Sequence, residues 1–191
     1  MSRGGSLRTR PALASEPERT IAIESELVGR RVTLRVERVV LEDGKETLRD
    51  IVQHPSSVVI VPLEDDGNVV MVRQYRKAAG RELLEFPAGV MEEDASPLDA
   101  ARRELREETG LDATEMIELG NFFAAPGSMT ERLHSFLAKG LFANPLAPDD
   151  DERITLERMP FAEAVRMARA GELNDAKTLA SLMLAAPHVA G

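Results

Sequence analysis

The sequence predicts an α/β fold in which helices cover the faces of a mixed β-sheet, preceded by an N-terminal β-hairpin layer. Short apolar or alternating segments, which are typical of strands, recur between residues 32 and 86. One helical segment with clear start and stop signals follows, and two more close the chain. Strands interleaved with helices favour a layered α/β architecture, and the 191 residues are enough for one substantial core.

The strands are predicted from their patterns of apolar residues. Val32–Val40 (VTLRVERVV) alternates apolar and charged residues, as a half-buried strand does. The turn signal at residues 42–45 and the segment Glu46–His54 complete a predicted hairpin. Six further strands are predicted at Ser57–Leu63, Val69–Tyr75, Leu83–Phe86, Met116–Ala124, Arg132–Lys139 and Arg153–Arg158.

The first helix is predicted between Ser96, which can cap it, and Gly110, which is a natural terminator. Pro97 suits its first position. An apolar stripe of this helix is expected to face the core and consists of Leu98, Ala101 and Leu105. The two C-terminal helices are predicted at Phe161–Ala170, ended by Gly171, and at Asp175–Ala186, ended by Pro187.

Composition excludes several classes of function. There is no cysteine, which excludes disulfides, thiolate zinc sites and a cysteine nucleophile. The net charge of −9 argues against binding to nucleic acid or to an anionic membrane, and no apolar run reaches membrane-spanning length. Residues 1–16 lack the apolar centre of a secretory signal and are predicted to be a disordered tail, so a cytoplasmic location is the default expectation.

Three glutamates, Glu104, Glu107 and Glu108, gather at the end of the first predicted helix. Anions are disfavoured there because the helix dipole is negative at that end, and Glu104 and Glu108 also repel each other on one face. A divalent cation between the carboxylates would reverse this cost, and Mg²⁺ in such a site commonly bridges to substrate phosphates. The alternative is a solvated helix with ion pairs such as Arg103 with Glu107.

Residues 89–111 (GVMEEDASPLDAARRELREETGL) resemble the Nudix box, whose pattern is Gly, five residues, Glu, seven residues, then Arg-Glu-aliphatic-any-Glu-Glu-any-Gly-aliphatic. The first glutamate of the pattern falls on Ala95, and every other position matches. Three outcomes are open: one of Glu92, Glu93 and Asp94 replaces that glutamate, the activity is reduced or the metal requirement altered, or the change is tolerated. The matching residues are Gly89, Arg103, Glu104, Leu105, Glu107, Glu108, Gly110 and Leu111.

The resemblance implies an α/β/α sandwich and a hydrolase that uses divalent cations to cleave a nucleoside diphosphate linked to another moiety. The expected cofactor is Mg²⁺, with Mn²⁺ as an alternative. The implied metal ligands are the Ala88 carbonyl, Glu104, Glu108 and Glu107, of which Glu107 alternatively orients water. Arg103 is expected to hold the glutamates in position by charge-assisted hydrogen bonds.

Other segments resemble ADP-ribose pyrophosphatases: VRQYRKAAGRELLEFPAG (residues 72–89), a proline fifteen residues after the box (Pro126), and residues 149–182. This resemblance implies hydrolysis of ADP-ribose to AMP and ribose 5-phosphate. The expected substrate-binding residues are Arg49, Arg76, Glu85 and Glu131. In the acidic run at residues 149–152, Glu152 and Asp150 are the candidates for a general base or an extra metal ligand.

We expect three parts along the chain: a flexible tail (1–16), a strand and dimerisation region (17–54) and the hydrolase domain (55–191). The alternating strands of the second part have little chain to pack on, which suggests pairing with another subunit, and the resemblance implies a homodimer. Arg49 is then expected to reach the partner's site. The alternative is a monomer in which the hairpin folds on itself. The alternative functions are hydrolysis of another nucleoside diphosphate sugar, such as GDP-mannose, and a nucleotide sensor that does not cleave.

Overall fold

The computed structural model describes residues 17–92, 95–147 and 153–189, so the predicted tail and the candidates Asp150 and Glu152 lie outside the described residues. Within these ranges the secondary structure is β1 (Glu18–Val28), β2 (Thr33–Leu41), β3 (Glu46–Gln53), β4 (Ser57–Pro62), β5 (Asn68–Arg76), β6 (Arg81–Glu85), β7 (Ala88–Val90), α1 (Pro97–Thr109), β8 (Leu111–Phe123), β9 (Arg132–Ala143), β10 (Ile154–Pro160), α2 (Phe161–Arg169) and α3 (Ala176–Val189).

A four-stranded mixed sheet lies at the centre, with the strand order β7-β4-β9-β8. Its central pair, β4 and β9, is parallel, whereas β7 and β8 pair antiparallel at the two edges. A second, antiparallel sheet has the order β10-β5-β6. The mixed sheet with packed helices confirms the α/β fold that the sequence predicts.

The fully buried strand β4 divides the core into two clusters, because successive side chains of a strand point to opposite faces. Val58 and Ile60 pack in a cluster with Ala101 and Leu105 of α1. The intervening residues of β4 pack in the other cluster, with side chains from β5, α2 and α3. Each of these residues of β4 is 0% exposed, so the strand's near-continuous apolar run is explained by burial on both faces.

The N-terminal layer is a three-stranded antiparallel sheet, β1-β2-β3, and therefore has one strand more than the predicted hairpin. The end of β3 is joined to the loop before β9: Val52 N–H donates to the Ser128 carbonyl over 2.8 Å, and Thr130 N–H donates to the Val52 carbonyl over 3.0 Å. Every residue of β1 is exposed.

Three details of the predicted elements are wrong. Leu98 is 41% exposed, because the buried face of α1 runs through residues 100, 104 and 108 and residues 101, 105 and 109. β8 begins at Leu111 and not at Met116, where the predicted strand starts. The buried Asp112 interrupts the apolar pattern there, and its carboxylate accepts hydrogen bonds from Arg102 and Asn144. α3 continues through Pro187 to Val189; a proline in the last turn interrupts few helical hydrogen bonds.

Candidate active site

Two of the three glutamates lie on the buried face of α1. Glu104 and Glu108 are 8% and 7% exposed and stand beside Ala101 and Leu105, whose side chains are in the core. The helix ends just beyond them at Gly110, whose φ of 73° closes the last turn. Burial at the negative end of a helix makes this placement costly for two carboxylates, so other groups must compensate their charge.

Arg103 is one of these groups. Its guanidinium donates to Glu104 Oε1 and Glu107 Oε2, each over 2.6 Å, and to the Val90 carbonyl over 3.1 Å. Burial opposes the charged form of Arg103, but the two carboxylates outweigh burial and raise its pKa above the ordinary value. Arg103 therefore fixes two glutamates of α1 against the strand β7.

Strand β7 brings backbone atoms up to the same carboxylates. Ala88 N–H donates to Glu108 Oε2 over 2.9 Å. At Gly89 an added β-carbon would lie 2.0 Å from the carboxyl carbon of Glu104, closer than atoms can approach. Only glycine at this position lets the Glu104 carboxylate lie against the backbone, which is a physical reason for the glycine at the start of the motif.

The donor set fits a hard divalent cation, because it consists of carboxylate and carbonyl oxygens. Among the described residues, however, no three Asp, Glu or His side chains form a group that could hold a metal ion. Glu107 is hydrogen-bonded to Arg103 at the edge of the site. The fit therefore depends on the buried Glu104 and Glu108 together with the carbonyl of Ala88, the residue whose N–H is bonded to Glu108.

A cavity of about 520 Å³ opens beside Ala88 and Gly89, in the size range of small-molecule sites. Its other walls combine charged, polar, aromatic and aliphatic residues: Arg31, His54, Ser57, Arg76, Val90, Phe122, Phe123, Ala124, Glu131, Leu133, Asp175, Ala176, Lys177 and Ala180. Ala88 and Gly89 thus separate the buried carboxylates from a space large enough for a nucleotide.

A second cavity, of about 340 Å³, lies on the side of Arg103 and Glu104. It shares Gly89, Val90 and Arg31 with the first cavity, so the two adjoin. Glu92 also lines it and acts electrostatically on Arg103, whereas Ala95 packs against the core. Of the three acidic residues considered as replacements for the missing glutamate, Glu92 is near Arg103, and Glu93 and Asp94 are outside the described residues.

Arg76 and Glu85 come together, but only Arg76 lines the large cavity. Glu85 is 1% exposed and accepts two hydrogen bonds from Arg76, over 2.9 and 2.7 Å, and another from Lys177. Burial acts to raise the pKa of Glu85, but Arg76 and Lys177 outweigh it and lower that pKa below its ordinary value. Both carboxylate oxygens of Glu85 are bonded to protein cations in this structure, and its contact with a base or ribose stays a prediction.

The other predicted substrate-binding residues differ in position. Glu131 lines the large cavity and accepts a hydrogen bond from Ser57 Oγ over 2.6 Å. Arg49 lines neither of the two cavities; it donates to Glu18 of β1 over 2.9 Å through Nε. Within one chain, therefore, Arg49 stays in the N-terminal sheet.

The sequence reasoning missed Lys177, Asp175 and Arg31, all of which line the large cavity. A signal for Lys177 was present, since a lysine in the first turn of a helix is as poorly placed as glutamates in the last turn. Lys177 is compensated by Glu85 and by Asp175, whose carboxylate is 3.0 Å from its ammonium group. No comparable signal in the sequence identifies Arg31, because it lies in a turn between two strands of another sheet.

Comparison with known families decides the classification. The model of the NUDIX domain matches residues 53–182, which include the carboxylates of α1, the β7 segment and Lys177. The chain belongs to the Nudix family. It is a Nudix pyrophosphohydrolase, an enzyme that acts on nucleoside diphosphate compounds, and enzymes of this family generally use divalent metal ions.

Among curated proteins, the Bacillus subtilis (strain 168) protein named ADP-ribose pyrophosphatase is 36% identical over 168 residues, 87% of this chain and 91% of that one. A Salmonella arizonae protein named GDP-mannose pyrophosphatase is 37% identical over 120 residues, 58% of this chain and 62% of that one. The crystal structure of an ADP compounds hydrolase superposes on this chain with a TM-score of 0.82 at 22% sequence identity. The match covers 93% of this chain and 97% of that one, so the two share a fold.

The described part of the chain has no helix that is both long and apolar enough to cross a membrane.

Proposed function

We propose that the protein hydrolyses the diphosphate bond of ADP-ribose, with water, to give AMP and ribose 5-phosphate, and that Mg²⁺ is its cofactor. The observation that carries the proposal is the position of Ala88 and Gly89. They touch the buried carboxylates of α1 on one side and form a wall of the large cavity on the other. A diphosphate bound along this wall would lie beside the metal donors with its two nucleoside or sugar ends in the cavities.

Similarity supports ADP-ribose over GDP-mannose as the substrate. The relative named for ADP-ribose matches over 91% of its own length, whereas the relative named for GDP-mannose matches over 62%. Hydrolysis of GDP-mannose remains the second candidate because the identities are nearly equal, 36% and 37%. A sensor without activity has less support, since the structure keeps Arg103 on Glu104 and Glu107.

We assign the metal to the Ala88 carbonyl, Glu104 and Glu108. Bound there, divalent cations would neutralise the charge that develops on the diphosphate and activate the attacking water. Arg103 keeps Glu104 in place, and Glu107 is either a further ligand or the group that orients water. The water oxygen bonds to one phosphorus, and the bond between that phosphorus and the bridging oxygen breaks. The bridging oxygen leaves with the other phosphate and carries the negative charge.

We propose that Arg76 binds the diphosphate or the base of the substrate. Arg76 lines the large cavity, and its guanidinium is fixed by two hydrogen bonds to the buried Glu85. Glu131 faces the same cavity, where its carboxylate can accept hydrogen bonds from ribose or base. Glu152 or Asp150 is assigned to proton removal from water or to an extra metal site, by the resemblance alone.

The test is release of AMP from ADP-ribose with and without Mg²⁺, with GDP-mannose in parallel. Rapid metal-dependent cleavage of ADP-ribose, much faster than cleavage of GDP-mannose, is the expected result. Preferred cleavage of GDP-mannose would refute the substrate but keep the chemistry. Tight binding of both compounds without cleavage of either would refute the reaction.

We also propose that residues 17–54 form a dimerisation region, that a second copy of this chain pairs with β1, and that the enzyme acts in the cytoplasm. β1 lies at the edge of the described N-terminal sheet, and Ile23, Leu27 and Val28 are 53%, 69% and 70% exposed. Such an edge, with apolar side chains, favours pairing with another strand. In a dimer of this kind Arg49 of one subunit is expected to reach the site of the other.

Light scattering after gel filtration tests this proposal. The wild type is expected at twice the chain mass of 20.9 kDa, and Leu27→Glu at the mass of one chain. Met183→Glu is the matched control, because Met183 is 79% exposed but lies on α3. A wild-type monomer, or a Leu27→Glu dimer as stable as the wild type, would contradict it.

A further inference from the structure

A buried hydrogen bond joins the first turn of α3 to Phe86, in the segment before β7. Phe86 N–H donates to Thr178 Oγ1 over 2.9 Å, and both residues are 0% exposed. The Thr178 hydroxyl donates in turn to Asp175 Oδ2 over 2.6 Å, and the same oxygen accepts the Thr178 N–H over 2.9 Å. The hydroxyl is thus held in one orientation, with its oxygen lone pair toward Phe86.

The segment that this hydroxyl holds leads directly to the proposed metal donors. After Phe86, the Pro87 carbonyl accepts a hydrogen bond from Ile60 N–H of β4 over 2.9 Å, and Ala88 N–H donates to Glu108 of α1 over 2.9 Å. Three elements of the fold, β4, α1 and α3, therefore fix three consecutive residues. The hydrogen bond from α3 to the Phe86 backbone comes from one side-chain hydroxyl, that of Thr178. Lys177 of the same helix binds the neighbouring Glu85 side chain instead of the backbone.

We propose that Thr178, oriented by Asp175, is a positioning residue that sets where the Ala88 carbonyl lies relative to Glu104 and Glu108, and so sets the affinity for the divalent cation. The inference rests on the proposed function for its choice of metal donors. Mg²⁺ requires oxygen ligands at about 2.0–2.1 Å in near-ideal octahedral geometry, so a small displacement of a backbone carbonyl weakens the site. Groups that orient metal ligands typically change affinity by about 10–100-fold when removed.

The experiment measures Mn²⁺ binding to the full chain by electron paramagnetic resonance, with no substrate present. Thr178→Val keeps the side-chain shape but removes the hydroxyl and leaves the buried Phe86 N–H without its acceptor. We expect this variant to bind Mn²⁺ roughly 10-fold more weakly than the wild type, the lower end of the range for such groups. Thr178→Ser restores the hydroxyl and is expected to restore the affinity.

Ser181→Ala is the matched control. Ser181 is also 0% exposed on α3, but its hydroxyl accepts a hydrogen bond from Ser135 Oγ over 2.9 Å, and within the described part of the chain it forms no hydrogen bond with residues 86–88. This variant is expected to lower the melting temperature, because it removes a buried hydrogen bond, without changing the Mn²⁺ affinity. The comparison separates positioning of the donors from a general loss of stability.

Equal Mn²⁺ affinity in Thr178→Val and the wild type would overturn the inference. If Thr178→Val does not fold, Asp175→Asn weakens the same chain of hydrogen bonds more gently, and an unchanged affinity in that variant would overturn it as well. A wild type that binds Mn²⁺ but cleaves no ADP-ribose would refute the proposed substrate and leave this inference standing. A wild type that does not bind Mn²⁺ would refute both the metal site and the inference.

Discussion

Replacement of Gly89 by alanine is the sharpest test of the proposed metal site, because the structure specifies what the added methyl group would displace. The new β-carbon would lie 2.0 Å from the Glu104 carboxyl carbon and 2.2 Å from both of its oxygens. The φ angle of Gly89 is not in the left-handed region, so the backbone itself accepts alanine. The atoms that must move belong to the end of a flexible side chain, so the fold can adapt while the carboxylate is expelled.

The size of the effect follows from the distance. Ordinary contact begins at 3.4 Å, so the carboxylate of Glu104 must move by the difference from 2.0 Å, or 1.4 Å. A misplacement of about 1 Å can cost on the order of 100-fold in rate. At about 1.36 kcal/mol for each tenfold, this corresponds to about 2.7 kcal/mol in the barrier. We expect Gly89→Ala to lose at least this much activity, with a melting temperature close to that of the wild type.

The assay compares AMP release from ADP-ribose at several Mg²⁺ concentrations with thermal unfolding of the same samples. Gly127→Ala is the matched control, because an added β-carbon at Gly127 meets nothing within 4 Å and its φ is not left-handed. That variant is expected to retain wild-type activity. Wild-type activity in Gly89→Ala would refute the reasoning, since Glu104 would then tolerate displacement and could not be a metal ligand.

Two further predictions concern buried carboxylates. Glu108→Gln is expected to lower kcat by at least about 100-fold with the fold intact, because a metal ligand contributes several kcal/mol to charge stabilisation. ADP-ribose hydrolysis and circular dichroism measure this, with the exposed Glu115→Gln as control. Glu85→Gln is expected to lower the free energy of unfolding, measured with urea, by about 3 kcal/mol. This value is the lower end for breaking a buried ion pair, and it applies because the Arg76 side chain is 36% exposed to water. A wild-type rate in Glu108→Gln would remove Glu108 from the metal site.

The pH dependence of stability follows from the direction of the Glu85 pKa shift. Although burial acts to raise it, Arg76 and Lys177 hold the pKa of Glu85 below its ordinary value of 4.5. A carboxylate with a lowered pKa in the folded state stabilises the fold above the unfolded value, and this contribution is lost as the pH falls through the folded value. The wild type should therefore lose unfolding free energy below about pH 4.5, and Glu85→Gln should lose less over the same interval. Equal slopes for the two proteins would contradict the assignment.

Local patterns were sufficient to predict the α/β class, the helix α1 with its cap and terminator, and the clustering of three glutamates at its end. These features depend on residues close together in the sequence: alternation defines strands, Ser96 and Gly110 bound a helix, and spacings of three and four place side chains on one face. The same locality explains the errors. The polar Asp112 hides the start of β8, since its partners Arg102 and Asn144 are elsewhere in the chain.

The sequence by itself determined that Glu104, Glu107 and Glu108 would be concentrated at one helix end, because spacings of three and four residues place side chains on one face. Only the tertiary structure decided what surrounds them. It buried Glu85 in hydrogen bonds with Arg76 and Lys177, outside the lining of the large cavity. It also brought Thr178 of α3 to the backbone of Phe86. The contacts of Lys177 with Glu85 and of Thr178 with Phe86 join residues 92 positions apart. They depend on how sheets and helices pack, and no local spacing encodes them.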